Sequence, residues 1–280
     1  MTEGRLVLVA TPIGNLGDLA PRAVETLRDA DVIAAEDTRR TRALLTHAGV
    51  AARGRLVSVR EHNERERAAE LVDEICRGHT VVLVTDAGMP GVSDPGVLVV
   101  RACADAGVRI DVVPGPSAAL AGLVVSGLPT ERFVFEGFLS RKGGERRDRL
   151  AVIAREPRTI VLFEAPPRVA ATLADLVEVC GPDRPVAVSR ELTKVHEETF
   201  RGTLAEAVGH VSNHPPRGEH VIVLGGAPPP APPTDAEVAE AARAELAAGA
   251  STREAADRVS ERLGVGRRRA YEAALAERSS

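Results

Sequence analysis

The chain has 280 residues, of which 44% are hydrophobic, enough for one large or two small domains with a proper core and an appendage. Its formal net charge of −4 gives no overall preference for nucleic acid, and five Phe and one Tyr are too few for a platform that stacks many bases. No apolar run is long enough for a membrane span, no signal-peptide pattern opens the chain, and the three cysteines have neither disulfide nor metal spacing. We therefore expect a cytoplasmic protein with no membrane segment and no bound metal.

Short β-branched runs alternate with helical patterns from the start of the chain. Strands are predicted over residues 6–10, 31–35, 56–59, 80–84 and 109–113. Helices are predicted near residues 21–28, 38–47, 64–77 and 96–106. Gly49, Gly78 and Gly107 stand where glycines end helices. This alternation predicts helical crossovers and a largely parallel sheet.

A second series of strands begins after residue 130. These strands are predicted over residues 133–135, 159–163, 186–189 and 219–224, again with helical patterns between them. The two series predict an α/β fold of two lobes, over residues 1–116 and 117–226, that meet near residues 116–126.

The composition changes after the second series. Residues 227–233 read APPPAPP, which is typical of a stiff linker. Residues 234–280 have a helical pattern, with a capping box at Ser251 and Glu254. Gly264 would form the turn of a helix-turn-helix, so a small helical domain is expected here.

Unusual loops follow seven of the predicted strands. They read TPIGNLGD, EDTRR, TDAGMPGVSDPG, PGPSA, EGFLSRKGG, EAPPR and RELTKVHEE. In open α/β sheets, ligands bind outside the carboxyl ends of the strands, so seven such loops at one edge indicate a binding site. Single residues also have structural interpretations. Asp86 and Asp94 suit turns or caps, Ser117 suits an N-cap, and Glu164 and Glu191 could pair with Arg168 and Arg190.

The loop over residues 84–96 limits the chemistry of the ligand. It carries two acids, three glycines and two prolines but no lysine, so it is not a phosphate-binding P-loop. The first strand is not followed by G-x-G-x-x-G, and the chain has neither a G-x-S-x-G elbow nor a zinc pattern. An uncharged or cationic ligand fits best, and S-adenosylmethionine is our hypothesis.

The loop motifs, together with EHNE, SGLP and GEHVIVLGG, occur in an order that resembles the ribosomal RNA small subunit methyltransferase I family, within the tetrapyrrole-methylase-like class. The resemblance extends over residues 6–226. It implies two α/β lobes with S-adenosylmethionine in the cleft between them, a homodimer, and methylation of a cytidine ribose 2′-oxygen in the decoding region of 16S rRNA.

The resemblance also implies which residues bind the cofactor. They are Asp86, Gly88, Met89, Pro90, Val92, Ser93, Ser117 and Ala118 from the first lobe and its junction, and Phe163, Glu164 and Leu192 from the second lobe. The TPIGN and EDTR loops would then face the substrate.

Four residues at the strand edge are candidates for the catalytic step: Glu36, Asp37, Glu191 and Lys194. Carboxylates close to arginines would be weak bases because their pKa should fall. Among the 36 basic residues, only Lys142 and Lys194 are lysines. Burial or the neighbouring Arg190 could lower the pKa of Lys194 enough for its amine to accept the proton of the 2′-hydroxyl. The structural alternative is an ion pair of Lys194 with Glu197 or Glu198.

Local basic segments suggest contacts with RNA. The expected residues are Arg39, Arg141, Lys142, Arg146, Arg267, Arg268 and Arg269, with residues 141–149 as a mobile loop. Because the tail balances its arginines with acids, a solvated helical cap is the alternative interpretation. Two other functions remain open: methylation of a tetrapyrrole or corrin on the same fold, and a non-catalytic nucleic-acid-binding regulator.

Overall fold

The computed structural model describes residues 4–51, 54–229 and 231–278. Contacts divide the chain into two compact units, one extending to Ala227 and the other beginning at Pro228. The first unit contains both β-sheets, and the second is helical. The linker predicted over residues 227–233 includes residue 230, which lies outside the described residues.

The first lobe is built on a five-stranded parallel sheet. Its strands are β1 (Arg5–Val9), β2 (Val32–Ala35), β3 (Arg55–Ser58), β4 (Thr80–Val84) and β5 (Arg109–Val113). They are arranged in the order β3-β2-β4-β1-β5, and every pair is parallel. Residues 81–84 are all buried, as expected for a strand that helices cover on both faces. All five predicted strands of this lobe are confirmed.

Four helices connect these strands. They are α1 (Pro21–Asp29), α2 (Thr38–His47), α3 (Glu64–Cys76) and α4 (Val97–Asp105). The side chain of Asp37 caps α2 by accepting a hydrogen bond from the Arg39 amide at 2.8 Å. The predicted helix-ending glycine after α2, Gly49, has a φ of 64°, in the left-handed region that favours glycine.

The second lobe contains a mixed sheet. Its strands are β6 (Phe133–Phe138), β7 (Thr159–Glu164), β8 (Pro185–Arg190), β9 (Glu198–Thr203) and β10 (His220–Leu224), and its helices are α5 (Ala118–Ser126), α6 (Gly144–Arg155), α7 (Val169–Cys180) and α8 (Leu204–Asn213). The strand order is β6-β7-β10-β8-β9, and only β6 and β7 are parallel neighbours. The largely parallel sheet predicted from the first series of strands is therefore confined to the first lobe, and β9 was not predicted.

Helix α5 joins the two lobes. Its residues Ala119 and Leu123 share a buried cluster with Ile13 of the first lobe and with Val221 of β10. A Cβ atom at Gly122 would lie 2.6 Å from a methyl of Val221, so only glycine lets the helix approach the sheet this closely. The α/β fold of two lobes predicted from the sequence is confirmed.

The unit beginning at Pro228 is a bundle of three helices, α9 (Asp235–Ala247), α10 (Thr252–Leu263) and α11 (Arg267–Arg278). The predicted capping box at Ser251 and Glu254 begins α10, and Gly264 ends it with a φ of 63°. Small side chains such as Ala242 and Ala256 fill its core. Among the described residues, no helix is both long and apolar enough to span a membrane.

Candidate active site

A cavity of about 290 Å³ lies in the cleft of the first unit and is called the cofactor cavity here. Its walls come from the loops after β1, β4, β5, β7 and β8, from the end of β6, and from the start of β10. Strand β10 runs antiparallel to its neighbours, so its first residues, rather than its last, reach the edge where the other strands end. The predicted concentration of loops at the strand ends therefore forms one concave site.

The loop over residues 85–96 forms one side of this cavity. Gly88 and Gly91 have φ values of 81° and 80°, so both need the left-handed conformation that glycine adopts without strain. Gly88 is also tied to Thr11 of the TPIGN loop by two backbone hydrogen bonds, of 2.9 and 3.0 Å. The loops after β1 and β4 thus hold each other in place at the cavity.

Aromatic and buried polar groups form the opposite wall. The ring of Phe163 packs edge-on against Phe135 and Phe138, with centroid separations of 5.0 and 5.6 Å. The Glu164 side chain is only 1% exposed, and its carboxylate accepts a hydrogen bond of 2.6 Å from Thr172 and pairs with Arg168 at 3.2 Å. Glu164 therefore lines the cavity, but its carboxylate already has partners. One of them is Arg168, the partner expected if the role of Glu164 is structural.

A second cavity, of about 700 Å³, adjoins the cofactor cavity and is called the acidic cavity here. Six of its lining residues are acids: Glu36, Asp37, Glu61, Glu64, Asp86 and Asp94. Two residues, Ser93 and Asp94, line both cavities. A ligand in one cavity would therefore meet a ligand in the other at this point of the loop.

The carboxylates of the acidic cavity differ in their proton affinity. A hydrogen bond from Arg39 holds the pKa of the Asp37 carboxyl far below its usual range. Burial, together with the charge of Glu36, raises the pKa of Asp86, although Arg40 pairs with it at 3.3 Å. Burial raises the pKa of Asp94 to about 6, and the charges of Glu36, Asp86 and Glu219 act in the same direction.

The loop after β8 reaches across the cleft to the first lobe. The hydroxyl of Thr193 accepts a hydrogen bond of 3.1 Å from the Asn15 amide. A Cβ atom at Gly14 would lie 2.4 Å from the side chain of Lys194, so the TPIGN loop packs closely against this loop. These contacts connect the TPIGN loop of the first lobe to the second lobe.

Lys194 does not have the properties expected of a base. Burial favours its neutral form, but hydrogen bonds from its ammonium group to Glu191 at 2.8 Å and to Glu219 at 3.1 Å outweigh burial and raise its pKa. The predicted lowering of the Lys194 pKa was therefore wrong, and so were both predicted partners, Glu197 and Glu198. The same hydrogen bond lowers the pKa of Glu191, which makes that carboxylate a weak base.

The structure brings most of the predicted cofactor residues together. Nine of them line the cofactor cavity: Gly88, Met89, Val92, Ser93, Ser117, Ala118, Phe163, Glu164 and Leu192. Asp86 lines the acidic cavity instead, and Pro90 is buried in its loop outside the lining of both cavities.

Sequence reasoning missed nine residues that also line the cofactor cavity: Ile13, Ala87, Asp94, Phe138, Ala165, Pro166, Glu219, His220 and Val221. The last three were missed because the direction of β10 is not visible in a hydrophobic run. Asp94 was noted only as a turn or cap residue, although its place in the glycine-rich loop was a usable signal.

The residues expected to contact RNA fall into two groups. Arg39, Arg141 and Lys142 are exposed in the first unit. In contrast, Arg146 is only 9% exposed and donates two hydrogen bonds to Asp175, of 2.8 and 2.6 Å. The assignment of Arg146 to RNA binding was wrong, because its guanidinium is used inside the lobe. Residues 144–155 also form a helix, so the expected mobile loop over 141–149 was wrong for most of its length.

The three arginines that open α11 already have partners within the helical unit. Arg267 pairs with Asp257, Arg268 with Glu272 at 2.9 Å, and Arg269 with Asp235 at 2.6 Å. Arg268 is the most exposed of the three, at 92% of its side-chain surface. These pairs agree with the solvated-cap interpretation, and exposed pairs of this kind are weak enough for an RNA phosphate to replace.

Comparison with known proteins assigns this fold and cavity to a class of enzyme. The family model for tetrapyrrole (corrin/porphyrin) methylases matches residues 5–208. The chain belongs to this family and is a methyltransferase, and S-adenosylmethionine is the methyl donor of its class. The class and cofactor predicted from the sequence are confirmed, and family membership favours an enzyme over the non-catalytic regulator.

Curated relatives are similar over nearly the whole chain. A ribosomal RNA small subunit methyltransferase I from Synechocystis is 45% identical over 274 residues, which cover 97% of this chain and 98% of that protein. The protein of the same name from Mycobacterium tuberculosis is 47% identical over 285 residues, covering 99% and 97%. The one from Thermotoga maritima is 46% identical over 223 residues, covering 80% and 99%.

Solved structures support the same fold. A uroporphyrin-III C-methyltransferase from Thermus thermophilus, solved in complex with S-adenosylhomocysteine, matches with a TM-score of 0.56 and 25% identity, over 79% of this chain and 97% of that one. A structure of diphthine synthase matches with a TM-score of 0.59, over 79% of this chain and 89% of that one. At 16% identity, this likeness supports the fold alone.

The residues that line the cofactor cavity fit the cofactor of this class. Among the described residues that line it there is no arginine or lysine, whereas three carboxylates, Asp94, Glu164 and Glu219, lie at its wall, which suits a cationic sulfonium rather than a phosphate. Ser117 begins α5 without a side-chain cap, so the first amides of the helix are available to a carboxylate such as that of a bound amino acid. Phe138, Phe163 and Met89 provide apolar contacts for a heteroaromatic ring.

Proposed function

We propose that this protein methylates the 2′-oxygen of a cytidine ribose in the decoding region of 16S rRNA, in the cytoplasm and within the small ribosomal subunit. The observation that carries the proposal is the acidic cavity adjoining the cofactor cavity at Ser93 and Asp94. A nucleoside in the acidic cavity would meet the methyl donor at these two residues. The name shared by the relatives above, which match the chain almost end to end, supports RNA as the substrate.

The chemistry of the acidic cavity suits a cytidine. Carboxylates accept hydrogen bonds from ribose hydroxyls and from the exocyclic amine of cytosine. Glu36 and Asp86 are placed to do so, while Arg60 and His62 on the same wall can meet the flanking phosphates. The cavity is therefore suited to one nucleotide whose base and sugar face acids and whose backbone faces cations.

The cofactor cavity would bind S-adenosylmethionine through the loop at Gly88 and Met89, the amides of Ser117 and Ala118, and the rings of the second lobe. When bound, this cofactor supplies an activated methyl group on sulfur. The protein must then align the ribose oxygen with that methyl and help its proton to leave. Lys194, Glu191 and Asp37 take the role of holding the loops around the cavities, since Lys194 stays protonated and the pKa of each carboxyl is lowered.

RNA beyond the target nucleotide would contact exposed basic side chains. We assign this role to Arg39, Arg141 and Lys142 in the first unit and to Arg267, Arg268 and Arg269 in the helical unit. Such contacts give affinity that depends on salt but not on base sequence.

We also propose that two copies form a homodimer. Helix α5 exposes Leu120 at 52% and Val124 at 70%, one turn apart on the same face. Exposed apolar pairs of this kind are typical of a protein–protein contact. Sedimentation of the wild type and of Val124→Asp tests the dimer, and equal masses at the monomer value would reject it.

Mapping of ribose methylation on 16S rRNA, from cells with and without the gene, tests the proposed reaction. We expect one cytidine to lose its 2′-O-methyl group when the gene is deleted and to regain it with the purified enzyme, small subunits and S-adenosylmethionine. An unchanged map would reject the proposal. Methyl transfer to a tetrapyrrole, with none to the subunit, would instead support the alternative substrate found elsewhere in the family.

A further inference from the structure

Asp94 occupies the point where the two cavities meet. Of the residues in the loop over 85–96, only Ser93 and Asp94 line both cavities. Ser93 has a φ of 61°, an uncommon conformation for a residue with a side chain. That turn brings Asp94 to the shared wall, where its carboxylate can reach ligands in either cavity.

The helix that follows does not use Asp94 as its cap. The amides of Gly96 and Leu98 at the start of α4 both donate hydrogen bonds of 2.8 Å to one carboxylate oxygen of Glu64. Glu64 is only 7% exposed and comes from the start of α3. Because Glu64 caps the helix, the cap interpretation of Asp94 was wrong, and its carboxylate is left for another purpose.

The groups around Asp94 raise its affinity for a proton. Burial raises its pKa to about 6; Thr85 opposes this with a hydrogen bond, and the carboxylates of Glu36, Asp86 and Glu219 reinforce it. A carboxylate with this pKa is ionised at neutral pH and accepts a proton more readily than an ordinary Asp.

Arg40, Lys194 and Arg60 all have partners other than Asp94. Arg40 pairs with Asp86 at 3.3 Å, and Lys194 pairs with Glu219 at 3.1 Å and with Glu191. Arg60 donates to the carbonyl of Glu36 at 3.2 Å. His62 also lines the acidic cavity, and His220, whose pKa burial lowers, lines the cofactor cavity.

We propose that Asp94 is the general base that removes the proton from the attacking ribose hydroxyl. This inference rests on the proposed function. The Asp94 carboxylate takes the 2′-proton as the ribose oxygen forms a bond to the methyl carbon. The carbon–sulfur bond breaks with its electron pair on sulfur, which becomes a neutral thioether, and Asp94 then releases the proton to water.

The test uses the full-length protein, small ribosomal subunits and S-adenosylmethionine, and compares the wild type with Asp94→Asn. The amide keeps the size of the side chain but cannot accept the proton, so we expect turnover to fall by about 10²–10⁴. Calorimetry should show cofactor affinity within a few-fold of the wild type. The matched control is Asp105→Asn, an exposed acid at the end of α4, which should keep full activity.

The pH profile separates a base from a residue that only shapes the loop. Turnover of the wild type should fall as the pH decreases through about 6, because protonated Asp94 cannot act. Asp94→Glu, which keeps a carboxylate, should retain this acid limb at a lower rate, whereas Asp94→Asn should lose it.

Equal turnover in Asp94→Asn, or an acid limb that persists in it, would overturn the assignment of the base while leaving the proposed function intact. A wild type that transfers no methyl group to the subunit would reject the proposed function and, with it, a role for Asp94 in this reaction.

Discussion

Replacing Asp94 by Asn should make the folded protein more stable at high pH. The pKa of this carboxyl is raised from 3.8 to about 6 in the folded chain, mainly by burial. The folded state therefore binds the proton more tightly than the unfolded state, and stability falls as the pH rises from 3.8 to about 6. Above that range, burial of the ionised carboxylate destabilises the folded wild type by its full amount. The amide of Asn has no charge and avoids this destabilisation.

The size of this effect follows from the shift. A difference of about two pKa units corresponds to at most about 3 kcal/mol, at 1.36 kcal/mol per unit. Asp94 is partly exposed, so solvent screening should reduce this to roughly 1–2 kcal/mol. Replacement of Asp94 also removes its repulsion with Glu36, Asp86 and Glu219, which is already part of the shift.

Urea unfolding at pH 4.5 and pH 8 measures this quantity without cofactor or RNA. Circular dichroism is the suitable signal, since the chain has no Trp and its one Tyr, Tyr271, belongs to the helical unit. The stability of Asp94→Asn relative to the wild type should increase by roughly 1 kcal/mol between the two pH values, because about a third of the full effect is already present at pH 4.5. Asp105→Asn should show no such increase. A difference that is the same at both pH values would refute the environment described for Asp94.

Four other changes test separate parts of the structure. Gly88→Val should lower cofactor affinity in calorimetry by at least about tenfold because of its φ of 81°, whereas Gly49→Val, with a φ of 64° and no neighbouring atoms within 4 Å, should not. Lys194→Arg keeps a positive charge for both carboxylate partners, so turnover should stay within a few-fold of the wild type. A loss of turnover on the ~10²–10⁴ scale of proton transfer would instead identify Lys194 as the base. Arg146→Ala should destabilise the protein by about 2–3 kcal/mol in urea, since it leaves a buried ion pair without its cation. Deletion of residues 228–280 should weaken RNA binding and flatten its salt dependence, and an unchanged slope would make the helical unit a structural cap.

The strands of the first lobe could be predicted because its sheet is parallel and buried on both faces. In such a sheet every strand is a continuous apolar run, as in residues 80–84, and helices fill the intervals. The second lobe is harder to predict. Strand β9, with the sequence ETFRGT, is only partly buried at the edge of the sheet, and no run of apolar residues marks it. The direction of β10 is set by its neighbours and is not visible in its own sequence.

The site was predicted best where the backbone determines it. Glycines at positive φ, such as Gly88, are marked by their residue type, and the loops at the strand ends follow from the topology. The roles of charged side chains depend on partners that are distant in sequence. Arg146 pairs with Asp175, Lys194 with Glu219, and neither partner could be identified from the sequence.

Backbone strain in this protein is concentrated at the same place as its chemistry. Among the described residues, three that are not glycine have a positive φ: Ser93, Glu191 and Thr193. Each such conformation costs of order 1–3 kcal/mol, which persists only where surrounding contacts determine it. Ser93 lies at the junction of the two cavities, and the other two lie in the loop after β8. The Lys194 ion pairs fix this loop within the second lobe, and the hydrogen bond from the Asn15 amide to Thr193 ties it to the first lobe. Because these contacts offset the strain at the wall of the cleft, the fold itself prepares the alignment of donor and acceptor that methyl transfer requires.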